Sequence, residues 1–158
     1  MAPITLLRTT SDHADFNALV VKLNADLTTR YGDVQKEYDQ YNKVEAIPTA
    51  VVVYVDNQPA GCACFKPYDD HTVEIKRMFV DPVFRGKGLS KRMLRELERW
   101  AIEKGYTKAV LETGDQQPEA IALYKAQGYE QIPNYEPYTD MPASICFGKV
   151  LSENLSLY

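Results

Sequence analysis

The stretch Val80-Asp-Pro-Val-Phe-Arg-Gly-Lys-Gly-Leu-Ser-Lys91 decides how this chain is read. Asp81-Pro82 stops a β-rich run, because proline cannot extend a strand ladder. Gly86 and Gly88 then mark a turn. Leu89, Met93, Leu97 and Trp100 recur at helical spacing until Gly105. A turn that leads from a strand into a helix start presents unpaired amide N–H groups and partial positive charge. Glycine lets those amides come close to an anion. Arg85, Lys87 and Lys91 add full charges, and Ser90 adds a hydroxyl. A phosphate or pyrophosphate fits this arrangement. The plainer alternative is a glycine turn on a solvated basic helix. A Walker A loop is excluded, because the Gly-Lys-Ser/Thr ending is absent. A dinucleotide fingerprint would need a third glycine and a parallel unit, and neither is present.

Upstream, Ala50–Asp56, Ala60–Tyr68 and Thr72–Val80 are β-rich runs. Asn57-Gln-Pro59 and Asp69-Asp70-His71 separate them as short turns, which predicts an antiparallel meander. Ile4–Arg8 reads as a first strand. Phe16, Leu19, Val20, Leu23 and Leu27 predict a helix from about Asp12 to Arg30, capped within Thr9-Thr-Ser-Asp12 and broken by Gly32. A second, more polar helix is expected from Asp33 to about Lys43, with Tyr38 and Tyr41 on one face. Downstream come a strand at Lys108–Thr113, a helix at Pro118–Gln127 and a stop at Gly128. Tyr129–Ile132 and Ile145–Leu151 read as last strands, with a loop over Pro133–Pro142. The fold class is α+β, in a single domain over residues 1–158, with a β-α-β-α-β second half.

The charge is uneven. Residues 76–99 hold eight basic residues against three acidic ones, so that segment is +5 in a chain of net charge −4, and the remainder is −9. An acidic protein is a poor general binder of nucleic acid, and none is expected as a partner. A compact basic island points instead to a specific anionic ligand. At 45% hydrophobic and 25% charged residues, the chain is neither disordered, collagen-like nor a coiled coil. Its longest apolar run, Ala50–Val55, falls far short of the roughly 20 residues that span a bilayer, and no membrane partner is expected. Met1-Ala-Pro-Ile-Thr-Leu-Leu-Arg8 lacks a leader pattern, so a cytoplasmic location is expected. Cys62, Cys64 and Cys146, with no Cys-x-x-Cys and two histidines, argue against a disulfide framework or a metal site. They read as small buried side chains.

Three blocks together resemble the GCN5-related N-acetyltransferase (GNAT) family. Arg85-Gly-Lys-Gly-Leu-Ser90 is similar to that family's Arg/Gln-x-x-Gly-x-Gly/Ala pyrophosphate motif, with serine in the last small position. Val73-Glu-Ile-Lys-Arg-Met-Phe-Val-Asp-Pro82 resembles the strand that leads into it. Ala120-Ile-Ala-Leu-Tyr-Lys-Ala-Gln-Gly-Tyr129 resembles the block Ala-x-x-Leu-Tyr-x-x-x-Gly-Phe/Tyr. Order and spacing agree over about half the chain. The resemblance implies a mixed, mostly antiparallel sheet of about six to seven strands with helices on both faces. It also implies acetyl-CoA as co-substrate, held between two splayed strands. Main-chain groups of Met78, Phe79 and Val80 would pair with the pantetheine arm. Amides of Gly86, Lys87, Gly88, Leu89, Ser90 and Lys91, beside Arg85, would hold the pyrophosphate. Where the family often has an asparagine that touches the cofactor, this chain has Gln117.

Acetyl transfer to an amine needs a base for the amine's proton, a donor for the thioester oxygen and a proton for the departing sulfur. The resemblance puts Tyr124 at the last task, with an aromatic core residue as the alternative. It makes the Phe79 N–H a donor for the oxygen. Glu74 is the first candidate base; by strand alternation it shares a face with Lys76 and Met78, and an ion pair with Lys76 is its other reading. Glu112 is the second candidate, and proton loss through water the third route. Tyr31, Tyr38, Tyr41, Tyr135 and Tyr138 are candidate walls of an acceptor site. A small primary amine is the expected acceptor, and a homodimer is compatible with the chain. A protein acceptor and a non-catalytic acyl-CoA-binding sensory module are the competing readings.

Overall fold

Strand β2, Ala50–Val55, is apolar at nearly every position, which suits a strand covered on both faces. The computed structural model describes residues 2–32 and 46–151, and in it β2 lies within one mixed sheet. The other strands are β1 (Ile4–Thr9), β3 (Gln58–Pro67), β4 (Thr72–Val80), β5 (Lys108–Gly114), β6 (Glu130–Ile132) and β7 (Ser144–Val150). Among the described residues the order is β1-β2-β3-β4-β5-β7-β6. Only β4 and β5 run parallel; the other neighbours are antiparallel.

Alternation in β2 sorts its side chains onto two helical layers. Ala50 and Val52 join Cys62, Cys64 and Phe79 under helix α1 (Ala14–Tyr31), whose Phe16, Leu19, Val20 and Leu23 are buried there. Val51 and Val53 face the opposite way, with Phe65, Ile75 and Leu111. That face is covered by α2 (Leu89–Glu103), through Met93, Leu94, Leu97 and Ala101, and by α3 (Pro118–Ala126). The sheet is thus flanked by helices on both faces, as expected.

Local chemistry moved some boundaries. The β2–β3 turn is Asp56-Asn57, with φ of +50° and +65°, and not Asn57-Gln-Pro59. Two left-handed residues make the tight hairpin whose twist suits its strands, and Asp and Asn tolerate that conformation. Helix α1 is capped by His13, whose Nδ1 accepts from the Asp15 N–H at 3.1 Å, and not from within Thr9–Asp12. Ser11 is committed elsewhere: its hydroxyl oxygen accepts from the Ile47 N–H at 2.8 Å, and its own N–H donates to the Ile47 carbonyl at 2.8 Å. The helix expected over Asp33–Lys43, with Tyr38 and Tyr41, lies outside the described residues.

Gly61 sets how closely β3 and β4 stack on α2. A Cβ there would stand 2.8 Å from the Phe79 carbonyl oxygen and 3.0 Å from the Met93 methyl. Gly61→Ala is expected to destabilise the fold by about 1–3 kcal/mol through overpacking, read from the urea midpoint. An unchanged midpoint would mean that the strands part there without cost.

Candidate active site

The site begins where two strands separate. β4 and β5 pair from Thr72/Lys108 to Ile75/Leu111 and no further. Just beyond, β4 carries an extra residue: Cys62 to Cys64 on β3 is matched by Phe79 to Lys76 on β4. The surplus forms a bulge in which Arg77 takes φ +59°. The thiols of Cys62 and Cys64 lie 3.4 and 3.5 Å from the Arg77 and Lys76 carbonyl oxygens and donate to them from beneath. The bulge bends β4 away while β5 continues beside β7 to Gly114. A cleft of about 390 Å³ opens between Met78–Val80 and Glu112–Gly114.

One consequence overturns the simple alternation. Glu74 and Lys76 lie on the α1 side, in register with Lys66 and Cys64. Met78 packs with the cluster on the α2 side. It does not share a face with Glu74, because the bulge shifts the phase by one residue.

Past Val80, Asp81 caps a short 3-10 turn (Pro82–Phe84); its Oδ1 accepts from the Val83 N–H at 3.1 Å. Its other oxygen pairs with Lys22 of α1 at 2.6 Å. Arg85 Nε donates to the Val80 carbonyl at 3.1 Å, which holds its guanidinium at the cleft rim. Gly86 and Gly88 have φ of +85° and +72°, and nothing lies within 4 Å of a Cβ at either. Conformation, not crowding, therefore calls for glycine there. Gly88 is the N-cap of α2, so the amides of Leu89, Ser90 and Lys91 have no acceptor within the helix. The Leu89 side chain itself is buried in the core. Ser90 borders the cleft, whereas Lys87, Gly88 and Lys91 border an adjacent groove with Arg92, Arg95 and Arg99.

The inner end of the cleft carries the candidate reactive side chains. Tyr124 is buried, edge-on to Tyr129 with ring centroids 5.9 Å apart. Tyr124 borders the cleft, and its hydroxyl has no partner among the described residues. Burial, then the charge of Glu112, pushes its pKa up, so it stays a proton donor. Glu112 accepts from the Ser144 hydroxyl at 2.7 Å. Burial raises its pKa to about 7, against the opposing pull of that hydrogen bond and of Lys76. Glu74 accepts from the Tyr135 hydroxyl at 2.8 Å and has Lys76 Nζ at 3.8 Å, so the ion pair of its alternative reading is formed. Lys76 donates to the Tyr138 hydroxyl at 3.2 Å. Gln117 spends its side-chain oxygen on the end of β5, accepting from the Thr113 hydroxyl at 2.8 Å and the Gly114 N–H at 3.3 Å.

Helix α1 forms the remaining wall with Leu23, Leu27 and Tyr31. Its last turn is fastened to the connection after β5. Arg30 donates to the Gln116 carbonyl at 2.9 Å and pairs with Glu119 at 2.5 Å. The Tyr31 oxygen accepts from the Gln116 N–H at 3.0 Å. Its ring fills the space over Gly114, where any Cβ would overlap it. Of the tyrosines expected in the acceptor wall, Tyr31 and Tyr138 border the cleft, and Tyr135 lies behind Glu74. Nothing in the sequence signals the Ser144–Glu112 contact, the Arg30 latch or the bulge. The contacts join residues 32 and 86 positions apart and leave no local pattern.

A family model described as the acetyltransferase (GNAT) family matches residues 17–129. An IAA acetyltransferase of Azospirillum brasilense is 40% identical over 78 residues, 49% of this chain and 51% of that one. The chain thus spans about half the length of that relative. A candidate acyl-CoA N-acyltransferase of Klebsiella pneumoniae superposes with a TM-score of 0.77 at 27% identity, over 96% of this chain and 99% of that one. A GNAT-family acetyltransferase of Elizabethkingia anophelis, solved with acetyl-CoA bound, gives 0.68 at 20% identity over 94% and 98%.

The raised pKa of Glu112 ties stability to pH. An acid that holds its proton more tightly when folded stabilises the fold fully below its ordinary value of 4.5, and that contribution is lost as pH climbs through about 7. Glu112→Gln, uncharged throughout, is expected to melt above the parent at about pH 8 and to lose most of that lead by about pH 5. A lead independent of pH would show that Glu112 is not held protonated by burial.

Proposed function

The chain belongs to the acetyltransferase (GNAT) family, and we propose that it moves an acetyl group from acetyl-CoA directly to the primary amine of a small molecule. The observation that carries this reading is the convergence on one cleft of the Tyr124 hydroxyl, the Glu112 carboxylate and the unpaired edge of β4. The glycine turn at the cleft's outer end supplies amide donors suited to the pyrophosphate. Residues 76–80 have no strand partner on the cleft side and can pair with an extended pantetheine arm.

Each chemical requirement then has a group. Glu112 takes the proton of the incoming ammonium. It suits this better than Glu74, because one of its oxygens accepts nothing among the described residues, and its pKa of about 7 lies near working pH. Glu74 has Tyr135 on one oxygen and Lys76 near the other. The neutral amine attacks the thioester carbon. The Phe79 N–H is the donor proposed for the carbonyl oxygen as charge develops on it. Tyr124 gives its proton to the departing thiolate.

The latch of Arg30 and Tyr31 supports a small acceptor over a polypeptide, because it ties the end of α1 across the cleft wall. Asp26 and Glu119 stand at the rim, although Arg30 pairs with both, so they attract a cationic amine only weakly. The presence of Tyr124 and Glu112 favours catalysis over a sensory role.

An amine panel with acetyl-CoA, followed by release of free thiol, tests the activity. Binding without release for any amine would favour the sensory reading. Tyr124→Phe is expected to lower kcat by about 100-fold with KM for acetyl-CoA little changed; an equal kcat would remove the tyrosine from the chemistry. For the base, kcat/KM should rise with pH and level off above about 7. Glu112→Gln should abolish that limb, and if the limb persists Glu112 is not the group that titrates.

A further inference from the structure

The cleft already has a primary amine in its wall. Lys76 sits at the first position beyond the fork, on the face that α1 covers, with its side chain only 7% exposed. Its Nζ is 3.2 Å from the Tyr138 hydroxyl and 3.8 Å from Glu74 Oε1, and both residues border the same cleft. Glu112 adds a further field. Burial lowers the pKa of Lys76, while Glu74 raises it, so this lysine loses its proton more readily than a surface lysine. The residues that would serve an external amine therefore line the same cleft as Lys76.

Resting on the acetyl-CoA reading above, we propose that the protein acetylates its own Lys76 when no acceptor amine fills the cleft. The ammonium of Lys76 first gives one proton to Glu112. The Nζ lone pair attacks the thioester carbonyl carbon, the C–N bond forms and the C–S bond breaks. The electron pair leaves on sulfur, which takes the proton of Tyr124. The second proton of the new amide nitrogen restores Tyr124, and Glu112 returns its proton to solvent. The products are acetyl-Lys76, free CoA thiol and one released proton. No oxidant or further reactant is needed.

The modification changes the site that makes it. Acetylation removes the cation beside Glu74 and leaves that carboxylate with Tyr135 alone. It also removes a charge that holds the pKa of Glu112 down. The modified protein is therefore a poorer catalyst near neutral pH, and an acceptor amine protects against the change by occupying the cleft.

The test incubates the full chain with acetyl-CoA and no amine, then reads intact mass and maps the modified peptide. One acetyl group on Lys76 is expected. It should form at least about tenfold more slowly in Tyr124→Phe, be absent in Gly88→Glu and Lys76→Arg, and be suppressed by a good acceptor. The site is mapped in the unaltered chain, so the result does not depend on Lys76→Arg folding. Two results overturn the proposal. One is an unmodified Lys76 in protein that acetyl-CoA stabilises thermally and that releases thiol with an amine. The other is equal modification in Tyr124→Phe and Gly88→Glu, which marks uncatalysed acetylation. Absence of both thermal stabilisation and thiol release overturns the acetyl-CoA reading itself, and this inference with it.

Discussion

A four-residue parallel pairing sets the geometry of this molecule. β4 and β5 hold together from Thr72 to Ile75 and then part, because one surplus residue at Arg77 turns β4 aside. A left-handed residue that is not glycine is costly in isolation. Here it is sustained by the thiols beneath it and by the pairing of Phe79 and Val80 with β3. Without the bulge, β4 would continue along β5 and the ladder would close over the cleft. Glu112 would lose its route to the space it faces, and the glycine turn would border nothing.

The glycine turn was legible in the sequence because positive φ leaves a mark on residue choice: Gly86 and Gly88 are needed for conformation alone. The order of strands and helices was legible for a similar reason. Apolar spacing in α1 and α2, and the continuous run of β2, follow directly from which faces are covered. The bulge was not legible. Arg77 is no turn former, and the alternation of Glu74, Lys76 and Met78 reads as regular strand. Contacts between distant residues were equally silent. Ser144 reaches Glu112 only because β7 pairs with β5.

The balance between the two candidate carboxylates turned on surroundings and not on position. Both lie on the face covered by α1. Glu74 is engaged by a phenol and faces an ammonium, while Glu112 has a hydroxyl on one oxygen only and a pKa raised by burial. Strand position singled out Glu74; local solvation and partners favour Glu112. The same cluster gives Lys76 its unusual setting, so the two carboxylates, the ammonium and the tyrosines Tyr135 and Tyr138 form one electrostatic unit.

The two ends of the cleft are made of different material. Its outer end offers main-chain amides and an open strand edge, which almost any side chain can accompany so long as the glycines and the bulge persist. Its α1 wall is side chain throughout: Leu23, Leu27 and Tyr31, held by Arg30. Substitution can therefore remodel the second end without disturbing the first. Tyr31 and Gly114 limit that freedom, because the ring occupies the volume that a larger residue at 114 would need. Drift at either position requires a matching change at the other, so these two residues form a coupled pair in a wall that is otherwise free to diversify.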